Sequence, residues 1–494
     1  MMSIIRINAA DNVAVAVEPI TAGQLLEADG VRVTALSNMD FGHKLALKDI
    51  PAGSLVIKYG CPIGYAVTDI KAGEHIHTHN LKTRLSGQLD YSYKPESAPS
   101  NHLPDGSFMG FKRQDGKVGI RNEIWIVPTV GCVNSIGGII ASRAQNMIRG
   151  SVQGVYCFPH PYGCSQLGDD HENTKKALCG LIRHPNAGGV LVLGLGCEEN
   201  GIDGMRELLG EIDESRVKFL ICQNHDDEVE ASLQMIEELI SAAHGDIREP
   251  VSTSELIVGL KCGGSDGLSG ITANPLVGAF SDRLVAEGGS SILTEVPEMF
   301  GAETILMNRC KNEGVFLKTI TLINDFKEYF INHGLPVYEN PSPGNKAGGI
   351  TTLEDKALGC TQKAGSSTVA DVLFYGDALR EKGLNLLQAP GNDLVASTAL
   401  AVSGAHLILF TTGRGTPFGA PVPTIKISTN TPLFEKKRNW IDFDAGTLVT
   451  GVKIEELSDK LYSYILKIAS GEDYTKTEQN CIRDMAVFKT GVTL

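Results

Sequence analysis

Four times in this chain an apolar run stops at a glycine-containing or polar loop. Ile124-Trp125-Ile126-Val127 leads into Thr129-Val130-Gly131-Cys132, and Val190-Leu191-Val192-Leu193 into Gly194-Leu195-Gly196-Cys197. Phe219-Leu220-Ile221 runs into Cys222-Gln223-Asn224, and Leu407-Ile408-Leu409-Phe410 into Thr411-Thr412-Gly413-Arg414-Gly415. Segments with helical spacing, notably 226–243 and 317–332, lie between such runs. Strands that are apolar on both faces and alternate with helices can only be satisfied in sheets covered on both sides. The expected main body is therefore α/β, with largely parallel sheets under covering helices.

The first 94 residues follow a different rule. Short alternating runs (Val13 to Val17, Val31 to Val33, Leu55 to Ile57) are separated by a recurring corner phrase: Ile20-Thr21-Ala22-Gly23, Ile50-Pro51-Ala52-Gly53, Ile70-Lys71-Ala72-Gly73. Each phrase ends in glycine, as a hairpin corner requires, so residues 1–94 are read as a small all-β domain. Residues 95–109 are proline-rich and polar and are read as a linker; 110–250 and 251–494 follow as two α/β domains, divided where Arg248-Glu249-Pro250 breaks a helix.

Charge narrows the partners. With 44 Lys+Arg against 58 Asp+Glu the chain carries −14, which argues against nucleic acid or an anionic membrane as partner and leaves a small molecule. No signal-peptide core and no 18-residue apolar run is present, so the expected location is cytoplasmic; the 11 cysteines are expected to be reduced. A homo-oligomer is possible. There is no GxxxxGK[ST], no complete dinucleotide fingerprint, no G-x-S-x-G and no HExxH.

Chemistry gathers at a few places. His75, His77 and His79 alternate in Gly73 to Asn80, so on a strand they would share one face and could hold a divalent metal, with His43 as a further participant. Cys132, Cys164, Cys197, Cys262 and Cys360 each sit in a glycine or polar setting, where a thiol can meet a ligand, although none forms a CxxC pair. Two imidazoles, a thiol and two carboxylates crowd the twelve residues from His160 to His171. Cys262-Gly263-Gly264-Ser265-Asp266 and Thr412-Gly413-Arg414 offer anion-binding loops, as does Asn340 to Gly349, which is followed by Lys356 and Lys363.

Several long segments resemble one known family. Gly110 to Glu123, Tyr162 to His171, Cys262 to Asn274, Asn340 to Gly365 and Thr411 to Gly419 are similar to the sugar-acid dehydratases that include altronate and galactarate dehydratase. Residues 1–94 resemble the SAF (β-clip) domain fused to these enzymes, with Gly42-His43-Lys44 and Gly73 to Asn80 as its signature. The chain length and the Gly163 to His171 segment resemble the altronate branch most. The resemblance implies a hydro-lyase of hexuronate catabolism that converts D-altronate to 2-dehydro-3-deoxy-D-gluconate, with Fe(II) or Mn(II) as activator. A galactarate dehydratase, a sulfolactate sulfo-lyase and a non-catalytic sugar-acid binder are the alternatives, and an iron–sulfur cluster is the less favoured cofactor. Residue type and setting, not the resemblance, assign the roles. His75, His77, Cys132, Cys164 and Cys262 are the expected metal ligands. Arg121, Ser265, Asp266, Asn345 and Arg414 are the expected substrate contacts. His160, His171 and Lys346 are the expected proton-transfer groups.

Overall fold

The structure is a computed structural model describing residues 3–96 and 102–493. The three corner phrases make the turns their glycines require: Gly23, Gly53 and Gly73 sit at φ +84°, +79° and +83°. At Gly73 a side chain is also sterically forbidden, because a Cβ there would meet the Thr34 carbonyl oxygen at 1.9 Å. The corners also pair, Ile20 bridging to Met39 and Ile50 to Ile70. The result is a set of small antiparallel sheets around two apolar clusters, one of which extends onto Ala302, Ala357 and Leu358 of the C-terminal part.

Of the segment read as a linker, residues 97–101 lie outside the described residues. Its flanks are anchored. Tyr91 and Tyr93 donate hydroxyl hydrogen bonds to Glu303 and to the Cys310 carbonyl. Ser107–Lys112, whose first three residues fall within the segment, forms a strand pairing antiparallel with Glu249–Ser252.

Beyond it lie two wholly parallel sheets. The first has four strands in the order Val155–Cys157, Glu123–Pro128, Ala187–Gly194, Val217–Ile221. The second has seven, in the order Val369–Leu373, Gly383–Leu387, Ser290–Leu293, Ile257–Cys262, Leu407–Thr412, Thr424–Ser428, Phe443–Asp444. The helices read from spacing are present as Glu228–Ala243 and Glu313–Asn332, each started by an Asp or Asn side chain that caps its first turn.

Helices Gly168–Ile182 and Asp393–Val402 lie against each other, and their Leu178, Leu181, Ala399 and Leu400 join one apolar core with Trp125 and Val127 of the first sheet and Ile292 and Phe410 of the second. The opposite face of the larger sheet is covered by Leu276, Phe280 and Leu284 of Ala273–Ala286 together with Leu461 and Ile465 of Ile454–Ser470. None of the helices described is long and apolar enough to cross a membrane.

Candidate active site

In an open parallel sheet the backbone amides and loops at the carboxyl ends of the strands face outward, and ligands bind there. The seven-stranded sheet delivers Cys262 to that edge, next to Glu295 and Glu298, which follow the neighbouring strand Ser290–Leu293. Glu295 is held at φ +71°, a backbone conformation that costs a non-glycine residue energy and is met at sites where a side chain must be aimed.

These residues belong to a buried charge network. Lys261 pairs with Glu295 and, at 2.9 Å, with Asp393; Lys363 reaches the other oxygen of Glu295 at 3.0 Å. Lys356 pairs with Glu298 at 2.7 Å. The second oxygen of Glu298 accepts from Cys262 and Cys360, both at 3.1 Å, and the two sulfurs stand 3.4 Å apart. Three ammonium groups thus face three carboxylates. Burial alone would raise the Glu298 carboxyl, but Lys356, Lys261 and Lys363 outweigh it and hold it well below the usual carboxylate range. Burial would likewise depress Lys356, but Glu298 outweighs it and pushes it above the ordinary lysine value, so it remains an ammonium. The hydrogen-bonding contact with Cys262, in which Cys360 keeps its proton, and burial raise Cys360, keeping it a thiol.

A cavity of about 410 Å³ opens on this network, bounded by Cys262, Glu298, Asn340, Asn345, Lys356 and Asp393. Its lid is the loop Asn340–Gly349, folded by a capping box in which Ser342 and Asn345 bond each other's backbone. Asn345 then donates to the Ser265 carbonyl at 2.8 Å and accepts from Lys356 at 3.2 Å. Arg414 is exposed and donates to the Gly344 carbonyl at 3.3 Å, so the expected anion loops at Ser265, Asn345 and Arg414 do converge.

The N-terminal domain packs against the lid loop, Lys44 donating to the Gly349 carbonyl at 2.9 Å. Its strand stops at Ile76, earlier than the alternating histidines suggest, because Asn80 accepts from the His77 amide and turns the chain. The rings still gather: His43 lies 5.0 and 5.4 Å from His75 and His77, centroid to centroid, and His79 lies 5.9 Å from His75. His77 Nε2 donates to the Lys346 carbonyl at 2.9 Å and His43 Nε2 to the Ala347 carbonyl at 3.3 Å, both on the short helix of the lid loop. His43 Nδ1 and His75 Nε2 then face each other at 2.9 Å. Burial, chiefly, lowers all three imidazoles, His75 to about 3, so they are neutral at physiological pH.

The facing nitrogens of His43 and His75 suit a divalent transition metal. An imidazole that ligates a metal through one nitrogen commonly donates its other N–H to a carbonyl, as His43 and His77 do. Two nitrogens on one ion at about 2.1 Å and a right angle would be about 3 Å apart, close to the separation seen.

The other expected residues are placed elsewhere. Arg121 is fully buried, forks onto Glu478 at 2.7 and 3.1 Å and donates to the Ile120 and Ile468 carbonyls, which leaves it no face for a substrate carboxylate. His160 is also buried with both ring nitrogens engaged, Nε2 with the Pro128 carbonyl and Nδ1 with the Tyr162 amide, so it has no lone pair or proton to trade. Asp266 accepts from Ser269, Thr429, Asn430 and the Leu268 amide and organises its loop. His171 stands on helix Gly168–Ile182 with its Nε2 buried and unpartnered. Cys132 and Cys164 are exposed at the carboxyl edge of the smaller sheet; among the described residues no close group of metal-binding atoms joins them to Cys262 or the histidines. That close group is Cys262, Glu298 and Cys360. Glu295, Glu298 and Lys261 were missed in the sequence, although two acids flanking a proline just after an apolar strand, Glu295-Val296-Pro297-Glu298, carried a signal.

Residues 2–84 match the SAF domain of altronate/galactarate dehydratases. Residues 110–244 match the second domain of D-galactarate dehydratase/altronate hydrolase, and 253–493 the C-terminal domain of D-galactarate/altronate dehydratase. The chain belongs to the D-galactarate/altronate dehydratase family. Among its relatives in this family are the altronate dehydratases of Escherichia coli, 55% identical over 498 residues, and of Bacillus subtilis, 56% identical over 503, each alignment covering both chains completely. The galactarate dehydratase (L-threo-forming) of Escherichia coli is 34% identical, over 96% of this chain and 94% of the relative.

Proposed function

We propose that this protein is a hydro-lyase that removes water from D-altronate to give 2-dehydro-3-deoxy-D-gluconate, a step of hexuronate breakdown, with Fe(II) or Mn(II) as its activating ion. The observation that carries the proposal is the identity of 55% and 56% with altronate dehydratases along the whole chain, against 34% with a galactarate dehydratase. A 410 Å³ cavity is of a size for a six-carbon acid and falls within the ordinary range of ligand pockets.

The reaction takes the C2 proton, which moves charge onto the carboxylate, and expels the C3 hydroxyl; the resulting enol tautomerises to the 2-keto acid. Arg414, exposed and bonded to the Gly344 carbonyl of the lid loop, is suited to grip the carboxylate. Lys356 remains protonated and fixed by Glu298, Asn340 and Asn345, so its charge is preorganised for the enediolate and needs no rearrangement as that charge develops. Lys346, half-buried on the lid helix whose carbonyls hold His43 and His77, is the proton-transfer group we assign, a role typically worth roughly a hundred- to ten-thousandfold in rate. His43 and His75, whose facing nitrogens stand 2.9 Å apart, would hold the divalent ion, which when bound supplies Lewis-acid charge for a substrate oxygen. Neutral imidazoles fit Fe(II) better than Mg(II) or Ca(II).

The test is a panel of D-altronate, galactarate and sulfolactate, each supplied anaerobically with Fe(II) or Mn(II), with 2-keto-3-deoxy acid or sulfite as readout. Turnover of altronate at least about tenfold above the other two is expected. Preferential turnover of galactarate or sulfolactate overturns the substrate assignment.

A further inference from the structure

The smaller sheet carries a second group of thiols that the dehydration mechanism does not use. Three Gly-Cys pairs, Gly131-Cys132, Gly163-Cys164 and Gly196-Cys197, follow its three adjacent strands Glu123–Pro128, Val155–Cys157 and Ala187–Gly194. The parallel register brings them level. Pro128 pairs with Leu193, and Cys132 and Cys197 each lie four residues beyond those partners. Ile126 pairs with Cys157; Cys132 lies six residues past the first and Cys164 seven past the second. Adjacent strands are about 4.8 Å apart, so thiols leaving three neighbouring strand ends at one level share a single small patch of the edge.

The three loops are also tied into one rim. The Gly131 amide donates to the Tyr162 carbonyl at 2.9 Å, and the Asn200 amide to the Gly163 carbonyl at 3.1 Å. Asn200 Nδ2 donates to the Thr129 carbonyl at 3.2 Å, and Thr129 Oγ1 to Glu198 at 2.5 Å. Gly163 lies at φ +99°, where any Cβ would run into the Thr129 carbonyl at 2.0 Å, so the close approach of the first two loops depends on it. All three thiols are free and exposed, without a disulfide partner.

Their spacing does not suit a single ion. The three do not form a group whose ligand atoms all lie within 4.8 Å, as one ion would require; among the described residues that condition is met at Cys262, Glu298 and Cys360 instead. Thiolates bound to different irons of a cluster stand further apart than thiolates on one ion. A second feature points the same way: Gln166, two residues after Cys164, is buried and its amide nitrogen has no partner, and N–H groups are what hydrogen-bond cluster sulfur.

We propose that Cys132, Cys164 and Cys197 hold an iron–sulfur cluster at the carboxyl edge of the smaller sheet, separate from the histidine rim. Each thiol gives its proton to water and its sulfur to one iron. A cubane cluster held by three thiolates leaves one iron without a protein ligand, open to an oxygen donor such as water or a hydroxy acid. No CxxC pair is needed, because the parallel register does the gathering that local spacing does elsewhere.

The full-length protein, treated anaerobically with iron salts, sulfide and a thiol reductant and then desalted, tests this. Wild type is expected to absorb broadly near about 400 nm and to carry iron and acid-labile sulfide in equal amount. Cys132→Ser, Cys164→Ser and Cys197→Ser should each lower both signals about tenfold, and Cys481→Ser, an exposed thiol elsewhere, should leave them unchanged. Alkylation mapped by mass spectrometry supplies a readout on unmutated protein: reconstitution should protect the three thiols and leave Cys481 reactive. Absence of labile sulfide in folded wild type, metal without sulfide, or undiminished cluster in the three variants would overturn the proposal.

Discussion

Replacing Asp355 with asparagine removes one charge on which two buried lysines depend. Lys44 and Lys58 of the N-terminal domain reach its two oxygens at 2.9 and 3.0 Å, and all three side chains are 1–2% exposed. The amide side chain would keep the volume and could still accept from the Thr351 amide, as Asp355 does, but it would leave two ammonium groups buried without a counter-charge. Breaking a buried ion pair costs about 3–5 kcal/mol. At about 2–4 °C per kcal/mol for a domain of this size, the melting temperature should fall by about 6–20 °C. Calorimetry of wild type and Asp355→Asn reads this directly, and limited proteolysis should show the N-terminal domain becoming accessible first. The triple change Lys44→Met, Lys58→Met, Asp355→Leu should recover most of the loss, since a whole buried triad can be exchanged for apolar side chains at little cost. Acid supplies a further check. Burial alone would raise the Asp355 carboxyl, yet the two lysines outweigh it and hold it well below the usual range. A depressed carboxyl stabilises fully above its unfolded value, about 3.9, and that contribution is lost as pH falls from there toward the folded value. Wild type should therefore lose stability in that window more steeply than Asp355→Asn. A variant melting within about 2 °C of wild type at neutral pH would refute the reasoning.

Lys356→Met should lower kcat by about a hundred- to a thousandfold with the fold intact, as removal of a preorganised charge does; steady-state kinetics showing less than a tenfold loss would contradict its assigned role. Arg414→Ala, on an exposed loop, should raise KM for the sugar acid about tenfold or more and leave the melting temperature alone, since a charge-assisted hydrogen bond is worth about 1.5–3 kcal/mol. Arg121→Met should do the opposite, lowering the melting temperature and leaving KM in place, because its contacts are Glu478 and two carbonyls. His75→Ala should reduce bound Fe(II) by at least about tenfold in equilibrium dialysis; unaltered iron binding would move the metal site elsewhere.

Much of this architecture was readable in the chain because it depends on local rules. The apolar runs at Ile124, Val190 and Leu407 are strands of parallel sheets buried on both faces, while the Phe219 run is a parallel edge strand that is only partly buried. The corner glycines at 23, 53 and 73 turn where the repeated phrase placed them. Long-range pairing was not readable. Nothing near Arg121 announces Glu478, 357 residues away, so a buried structural arginine looks like a substrate arginine. Similarly, Cys132, Cys164 and Cys262 share a glycine-polar setting and therefore seemed to share a site, whereas strand order sends Cys262 to one sheet edge and the other two to another. His75 and His77 were legible, but their carbonyl partners on the lid helix were not, being 269 residues further on for His77.

The same Asp355 triad has a consequence for how the protein is made. Lys58 leaves the ribosome 297 residues before its counter-ion is synthesised, an interval of about 15–60 s at about 5–20 residues per second. During that time the N-terminal domain can close its own sheets, but Lys44 and Lys58 must stay hydrated, and His43 and His77 lack the carbonyls that orient them. A newborn chain is thus unable to complete its histidine rim early. Capture of the ion we propose there would be a late event, gated by completion of the segment that also builds the cavity.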